Sequence, residues 1–189
     1  PACDCHLHAH LGQETRLENP MPVDSFKYLP RIIAEYYQIT ALESDLPIPW
    51  TPLSRPLTES KFGLITSGGL YHQSAAPPFD LERERQTPTW GDPTYRALPV
   101  DVDPADVGAS HLHLNTQDIL EDFNILLPIR RFQELVVEKR IGGLAERACA
   151  FMGYQGFPSD TTAWQETYGP EVAAKLKAEG VNCVFLTPA

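Results

Sequence analysis

The sequence has no long apolar run. No stretch of the 189-residue chain approaches about 18 consecutive apolar residues, so no segment qualifies as a membrane-spanning helix. Basic residues are outnumbered, 15 against 25 acidic ones, and the resulting net charge of −10 repels a phosphate backbone. The first residues also lack a basic segment followed by an apolar one, which argues against a secretory signal. We therefore expect a soluble protein that binds neither membranes nor nucleic acid.

Cysteine is scarce, with four residues in the chain. Cys3 and Cys5 are too close together for an ordinary disulfide, and Cys149 and Cys183 lie among apolar residues, which is typical of core thiols. A chain without a disulfide framework is typical of a reducing compartment. These features predict a cytoplasmic protein.

The chain does contain alternating apolar strands and amphipathic helices. Apolar residues make up 42% of it, enough for a globular core. The periodicity predicts helices over 24–42, 118–126, 128–139 and 161–179, and strands over 62–66, 95–100, 110–114 and 181–186. Residues 145–152 fit either a strand or another buried segment. Gly142 and Gly143 are expected to stop one helix, and Gly180 to cap another.

A helix followed by a glycine and an apolar strand is half of a βαβ unit. The pattern therefore predicts a three-layer α/β domain with a mainly parallel sheet over residues 61–189. Residues 1–60 are expected to form an irregular N-terminal arm, a helix and a linker, with the whole chain in one compact unit.

Two segments follow predicted strands at the edge where such sheets bind ligands, which is beyond the carboxyl ends of the strands. Thr66-Ser67-Gly68-Gly69 follows the first strand, and Leu186-Thr187-Pro188-Ala189 follows the last. The sequence stops at the second of these ends. Three expectations are open: a short tail suffices, the natural chain continues, or another segment completes the site.

The N-terminal segment is rich in metal-ligating side chains: Cys3, Cys5, His6, His8 and His10. Thiolate and imidazole are ligands of zinc, copper and nickel. In an extended segment the three histidines would share one face, so a transition metal such as zinc, copper or iron is one hypothesis. The alternative is an arm that has no defined metal-binding role.

A second group of histidines lies in Ser110-His111-Leu112-His113-Leu114. In the predicted strand His111 and His113 point the same way, and His72 after the glycine turn could join them. Three converging imidazoles suit metal binding or proton transfer near neutral pH. The alternative is that these are ordinary surface histidines at a strand edge.

The glycine turn at Ser67-Gly68-Gly69 could hold a carboxylate or phosphate through its backbone amides. It matches neither the dinucleotide-binding fingerprint nor the P-loop, and Ser67 lacks the Gly-x-Ser-x-Gly context of a hydrolase nucleophile. A later loop carries Asp92 and Arg96, and an arginine there could clamp a substrate carboxylate. The alternative is an Asp92–Arg96 pair that simply fixes the loop.

Several segments occur in an order found in a known family. They are Phe62 to Gly69, Pro78-Phe79, Gly91 to Pro99, His111, Asp122 to Pro128, Glu134 to Leu144, Phe151-Met152-Gly153 and the helix that leads to Ala189. Over residues 61–189 the chain resembles the selenoprotein B family of glycine, sarcosine, betaine and D-proline reductases, including its cysteine-containing relatives.

The resemblance implies an oxidoreductase in which a selenolate or thiolate reductively cleaves a carbon–nitrogen bond of a small amino-acid-like substrate. The family places that nucleophile directly after the segment Leu186 to Ala189, and this sequence has no selenocysteine or cysteine motif there. The pocket would be shaped by Ser67, His72, His111 and His113, with Arg96 on the substrate. Protein subunits, a redox donor and an oligomer are the implied partners.

Two other functions are open. One is a metal-dependent lyase or hydrolase that uses the N-terminal histidines, or His72 with His111 and His113. The other is a non-catalytic subunit that keeps the fold and binds partner proteins.

Overall fold

The computed structural model describes residues 27–39 and 51–189, and the chain divides between Trp50 and Thr51. In the first unit, helix α1 (Arg31–Ile39) begins directly after Pro30, whose carbonyl accepts hydrogen bonds from the amides of Ile33 and Ala34. Residues 27–29 form a turn, so the predicted helix start at residue 24 is too early. The proline sets the start because it suits the first turn of a helix but not its interior.

The second unit, residues 51–189, contains the sheet and takes in ten residues that the sequence had assigned to the linker. Its strands are β1 (Lys61–Thr66), β2 (Leu70–His72), β3 (Tyr95–Pro99), β4 (Val107–Ala109), β5 (Gly143–Leu144), β6 (Arg147–Phe151) and β7 (Cys183–Thr187). Its α-helices are α2 (Leu81–Gln86), α3 (Thr116–Glu121), α4 (Ile129–Val137) and α5 (Gly169–Ala178). A π-helical turn, Trp164–Tyr168, leads directly into α5.

Strand β1 lies at the centre of a five-stranded sheet. Strands β5 and β6 pair with one of its edges and β7 with the other, all parallel to it, while β3 pairs antiparallel with β6. Strands β2 and β4 form a separate antiparallel pair. The prediction of a mixed α/β fold with a mainly parallel sheet is confirmed.

Neighbouring residues of a strand point to opposite faces of the sheet, so apolar side chains project from both faces. Helices cover each of these faces. On one face Leu64 packs in a core with Phe123 and Ile129, next to α4. On the other face Phe151 packs with Val172 and Leu176 of α5. The sheet and its two covers are the three layers that the sequence predicted.

Of the two predictions that a glycine ends a helix, the one for Gly180 is confirmed and the one for Gly142 and Gly143 is wrong. Gly180 follows α5 with a φ of 78°, as expected of a C-terminal cap. At the end of α4, however, the left-handed residue is Lys139, with a φ of 56°, and not Gly142. The amide of Arg140 donates to the carbonyl of Leu135, so the helix already ends before the glycine pair.

The strand predicted over 110–114 is wrong. Strand β4 ends at Ala109, and residues 112–114 form bends before α3. The amide of His113 donates to Nδ1 of His111 at 3.1 Å, and the side chain of Asn115 caps α3 by accepting from the amide of Gln117. Such local bonds from side chain to backbone compete with strand pairing.

No helix in residues 27–39 and 51–189 is long and apolar enough to cross a membrane.

Candidate functional site

The carboxyl ends of β1 and β7 are held together by hydrogen bonds at one edge of the sheet. The amide of Ser67 donates to the carbonyl of Thr187 at 3.2 Å, and the Thr66 hydroxyl donates to the same carbonyl at 3.1 Å. The amide of Ala189 in turn donates to Oγ of Ser67 at 2.9 Å. Parallel β6 ends beside them at Phe151. The predicted juxtaposition of the two strand ends is thus observed.

The glycine turn after β1 is tightly packed. The amide of Gly68 donates to Oγ1 of Thr66, and that of Gly69 to the carbonyl of Phe151. The amides on which the predicted anion-binding role depends are therefore engaged within the chain. Gly69 has a φ of 66°, and a Cβ placed on it would lie 2.2 Å from the carbonyl oxygen of Ser110, so this position requires glycine.

A cavity of about 500 Å³ opens at these strand ends. That volume is in the range of small-molecule sites, roughly 300–1,000 Å³. Its lining is almost wholly apolar and comprises Ile65, Thr66, Ser67, Phe151, Trp164, Gly169, Leu186, Thr187 and Pro188.

Two polar atoms of the cavity-lining residues, Nε1 of Trp164 and Oγ1 of Thr187, are buried without a hydrogen-bond partner. A buried donor without a partner costs about 1–3 kcal/mol, so such atoms need an explanation. Both residues line the cavity, although neither of these two atoms is itself exposed. Trp164 carried no sequence signal as a site residue, since it fits an ordinary helix pattern, whereas Thr187 belongs to the strand end that the sequence singled out.

Among the described residues, His72, His111 and His113 do not form a group that could hold a metal ion. His72 lies on β2, where its Nδ1 contacts the hydroxyl of Ser74 at 3.2 Å, while the rings of His111 and His113 lie 5.8 Å apart. Within the described ranges there is no group of three or more His, Cys, Asp or Glu side chains that could hold a metal ion. Cys3, Cys5, His6, His8 and His10 lie outside the described residues, so their metal site stays a prediction.

His113 has an acidic neighbour that the sequence did not reveal. Nε2 of His113 lies 3.2 Å from Oε1 of Glu84, which comes from α2 and is only 3% exposed. Burial raises the pKa of Glu84, and the charge of His113 acts in the opposite direction. The sequence of α2, Leu-Glu-Arg-Glu-Arg-Gln, is typical of a solvated helix, so no periodicity marks one glutamate as buried.

His111 is 7% exposed and holds the backbone of His113. Because its Nδ1 accepts the amide proton of His113, the neutral ring carries its own proton on Nε2. That Nε2 is buried without a partner. Burial, and after it the charge of His113, lowers the pKa of His111, which keeps the ring neutral.

Arg96 and Asp92 form an ion pair at 3.4 Å. The guanidinium also donates to the carbonyls of Pro77 and Pro78 and to the hydroxyl of Thr94, and it stacks 4.2 Å from the ring of Phe79. These contacts join two loops and favour the interpretation that the pair fixes them. Substrate binding by Asp92 and Arg96 stays a prediction.

The chain has a mainly parallel α/β sheet with an apolar cavity at its strand ends, which is where proteins with open α/β sheets usually bind their ligands. The chain is 32% identical over 155 residues to D-proline reductase subunit gamma of Acetoanaerobium sticklandii. This similarity covers 79% of the chain, which spans 59% of the length of that subunit. No model of a protein family and no solved structure matches the chain. The chain is therefore related to a reductase subunit.

Proposed function

We propose that this chain is the substrate-binding component of a reductase complex that cleaves a carbon–nitrogen bond of a small amino-acid-like molecule. The single observation that carries the proposal is the apolar cavity at the ends of β1 and β7, in a chain related to a reductase subunit. The resemblance to the selenoprotein B family points the same way, because that family places its nucleophile directly after this strand.

The chemistry needs a selenolate or thiolate. Cys149 is buried, and burial raises the pKa of its thiol to about 11, so it is protonated and unreactive near neutral pH. Cys183 is buried within β7. Neither suits a nucleophile, so we propose that the reactive chalcogen comes from outside the described residues or from a partner subunit.

The proposed reaction balances as a two-electron reduction. The chalcogenide attacks the carbon that bears nitrogen, the electron pair of the broken bond leaves with nitrogen, and the amine takes a proton. A neighbouring thiolate then attacks the chalcogen and releases the carbon, which is also protonated. The bond between sulfur and the chalcogen is reduced again by a dithiol donor.

We propose that different groups of the site bind the apolar and the polar parts of the substrate. The hydrocarbon part of the substrate would lie in the apolar cavity, and a carboxylate oxygen would accept from the N–H of Trp164 once the indole turns towards it. Replacing Trp164 by phenylalanine keeps most of the ring and removes only that donor. A lost hydrogen bond to a charged group is worth about 1.5–3 kcal/mol, so KM should rise roughly tenfold to a hundredfold.

The test is a turnover assay on the complex purified with its partner subunits. Release of the reduced product from D-proline, glycine and betaine is measured with dithiothreitol as donor. Wild type and Trp164→Phe are compared with Trp90→Phe, a matched control whose indole stacks on Arg83 away from the cavity. Absence of thiol-dependent turnover with every substrate would overturn the proposal. Turnover that is indifferent to Trp164→Phe would leave the chain a structural subunit.

A further inference from the structure

Two charged or polar side chains near the strand ends are more than nine-tenths buried, and each has an atom without a hydrogen-bond partner: Oε1 of Glu84 and Nε2 of His111. Natural proteins rarely bury such atoms without a use for them. Both residues contact the same third residue, His113, whose side chain is 55% exposed. One solvated imidazole is therefore held by two buried side chains.

The contact between Glu84 and His113 is electrostatic. Oε1 and Nε2 are 3.2 Å apart, which is the distance of an ion pair when the imidazole is protonated. The contact places Nε2 next to the carboxylate. The other nitrogen, Nδ1, is then the one that can exchange a proton with a bound molecule.

Backbone contacts connect His113 to the strand ends. Its ring lies 4.8 Å from the ring of Tyr154. Tyr154 follows Gly153, where a Cβ would meet the carbonyls of Ala189 and Ser67 at 2.7 and 3.2 Å. On the other side, the amide of Ser110 donates to the carbonyl of Gly69. The imidazole thus lies at the same edge of the sheet as the cavity.

We propose that His113 is the general acid of this edge, and that Glu84 and His111 are its positioning residues. The inference rests on the proposed function. As the carbon–nitrogen bond breaks, nitrogen keeps the electron pair and takes the proton from Nδ1 of the imidazolium. The neutral ring that remains keeps its proton on Nε2, next to Glu84, and Nδ1 is protonated again from water.

Groups from several elements lie around the pair of Glu84 and His113. Burial raises the pKa of Glu84, and the charges of His113 and Arg85 act in the opposite direction. Asp92, from the loop before β3, adds to the increase and itself forms an ion pair with Arg96. His111 is neutral, and Tyr154 contributes an aromatic face.

The experiment compares His113→Ala, Glu84→Gln and Glu82→Gln in the complex that turns over. Glu82 is the matched control, since it lies on the same helix and bonds only Gln86 and Arg85. General acids contribute about 10²–10⁴-fold, so His113→Ala should lower kcat at least a hundredfold with little change in KM. Added imidazole should restore part of the rate, which a merely structural role would not allow.

Glu84→Gln should lower kcat with little change in KM, because the imidazole loses the side chain that positions it. Glu82→Gln should leave both parameters unchanged. An unaltered kcat in His113→Ala, in a preparation whose wild type turns over, overturns this inference alone. A wild type without thiol-dependent turnover overturns the proposed function as well. Circular dichroism of each variant identifies a loss of rate that comes from misfolding.

Discussion

Two glycines with nearly the same backbone conformation allow the free-energy cost of a clash at the strand ends to be measured by comparing their alanine variants. Gly69 has a φ of 66° and Gly180 a φ of 78°. A Cβ on Gly180 would meet nothing within 4 Å, whereas one on Gly69 would lie 2.2 Å from the carbonyl oxygen of Ser110. Replacement by alanine therefore costs a similar backbone free energy at the two positions. A steric clash adds to that cost at Gly69 only.

The magnitudes follow from these environments. A left-handed conformation costs an L-residue about 1–2 kcal/mol, and part of this is offset by about 0.4–1 kcal/mol from the stiffer unfolded chain. Gly180→Ala should therefore destabilise by about 1 kcal/mol. Gly69→Ala adds about 1–3 kcal/mol for overpacking. It also weakens the bond from the Ser110 amide to the Gly69 carbonyl, worth about 1 kcal/mol, for a total of roughly 3–5 kcal/mol.

Urea unfolding followed by circular dichroism measures both free energies of unfolding. The slope with denaturant should stay unchanged, so that the difference between midpoints reports stability. Free energies for the two variants that agree within about 0.5 kcal/mol would refute the reasoning, because the contact with Ser110 would then have no cost.

Two further predictions concern the thiols and the end of α4. In a Cys3→Ser, Cys5→Ser background, Ellman's reagent at pH 8 should label neither Cys149 nor Cys183 in the native protein, and both in urea. The reason is that both thiols are buried and that burial raises the pKa of Cys149 to about 11. Rapid labelling of the folded protein would contradict this. Lys139→Gly should stabilise by about 0.5–1 kcal/mol in urea unfolding, because glycine relieves the left-handed strain at a φ of 56°; a lower midpoint would show that lysine makes a compensating contact.

The sequence predicts strands β1, β3 and β7 of the sheet because they are short apolar runs, but it misses β5 and leaves β6 ambiguous. Residues 62–66 and 181–186 match β1 and β7 within two residues. Gly180 was predictable as a cap because a glycine between an apolar helix and an apolar strand has few other uses. Lys139 was not, since nothing in a lysine indicates a left-handed backbone. Its conformation is set by the carbonyls of Leu135 and Val136, which accept the amides that follow the helix.

The candidate site was predictable only in its location. Parallel strands place their carboxyl ends together, so Ser67 and Thr187 were expected neighbours. The identity of the polar partners depends on tertiary packing. Glu84 is buried because α2 lies close to the loop that carries His113, and that contact joins residues far apart in sequence. His111 and His113 were wrongly assigned to a strand because alternation cannot detect a ring that bonds its neighbour's amide.

The two sides of the sheet differ chemically at this edge, and the difference constrains how a substrate would lie. The cavity continues the α5-side core through Ile65, Phe151 and Trp164. The loop that carries His113 follows β4, and β2 and β4 contribute Leu70 and Val107 to the opposite core. Under the proposed function, the hydrocarbon part of the substrate faces α5 and its nitrogen faces His113. Trp164→Phe should then act mainly on KM and His113→Ala mainly on kcat, and variants that change both parameters equally would contradict this orientation.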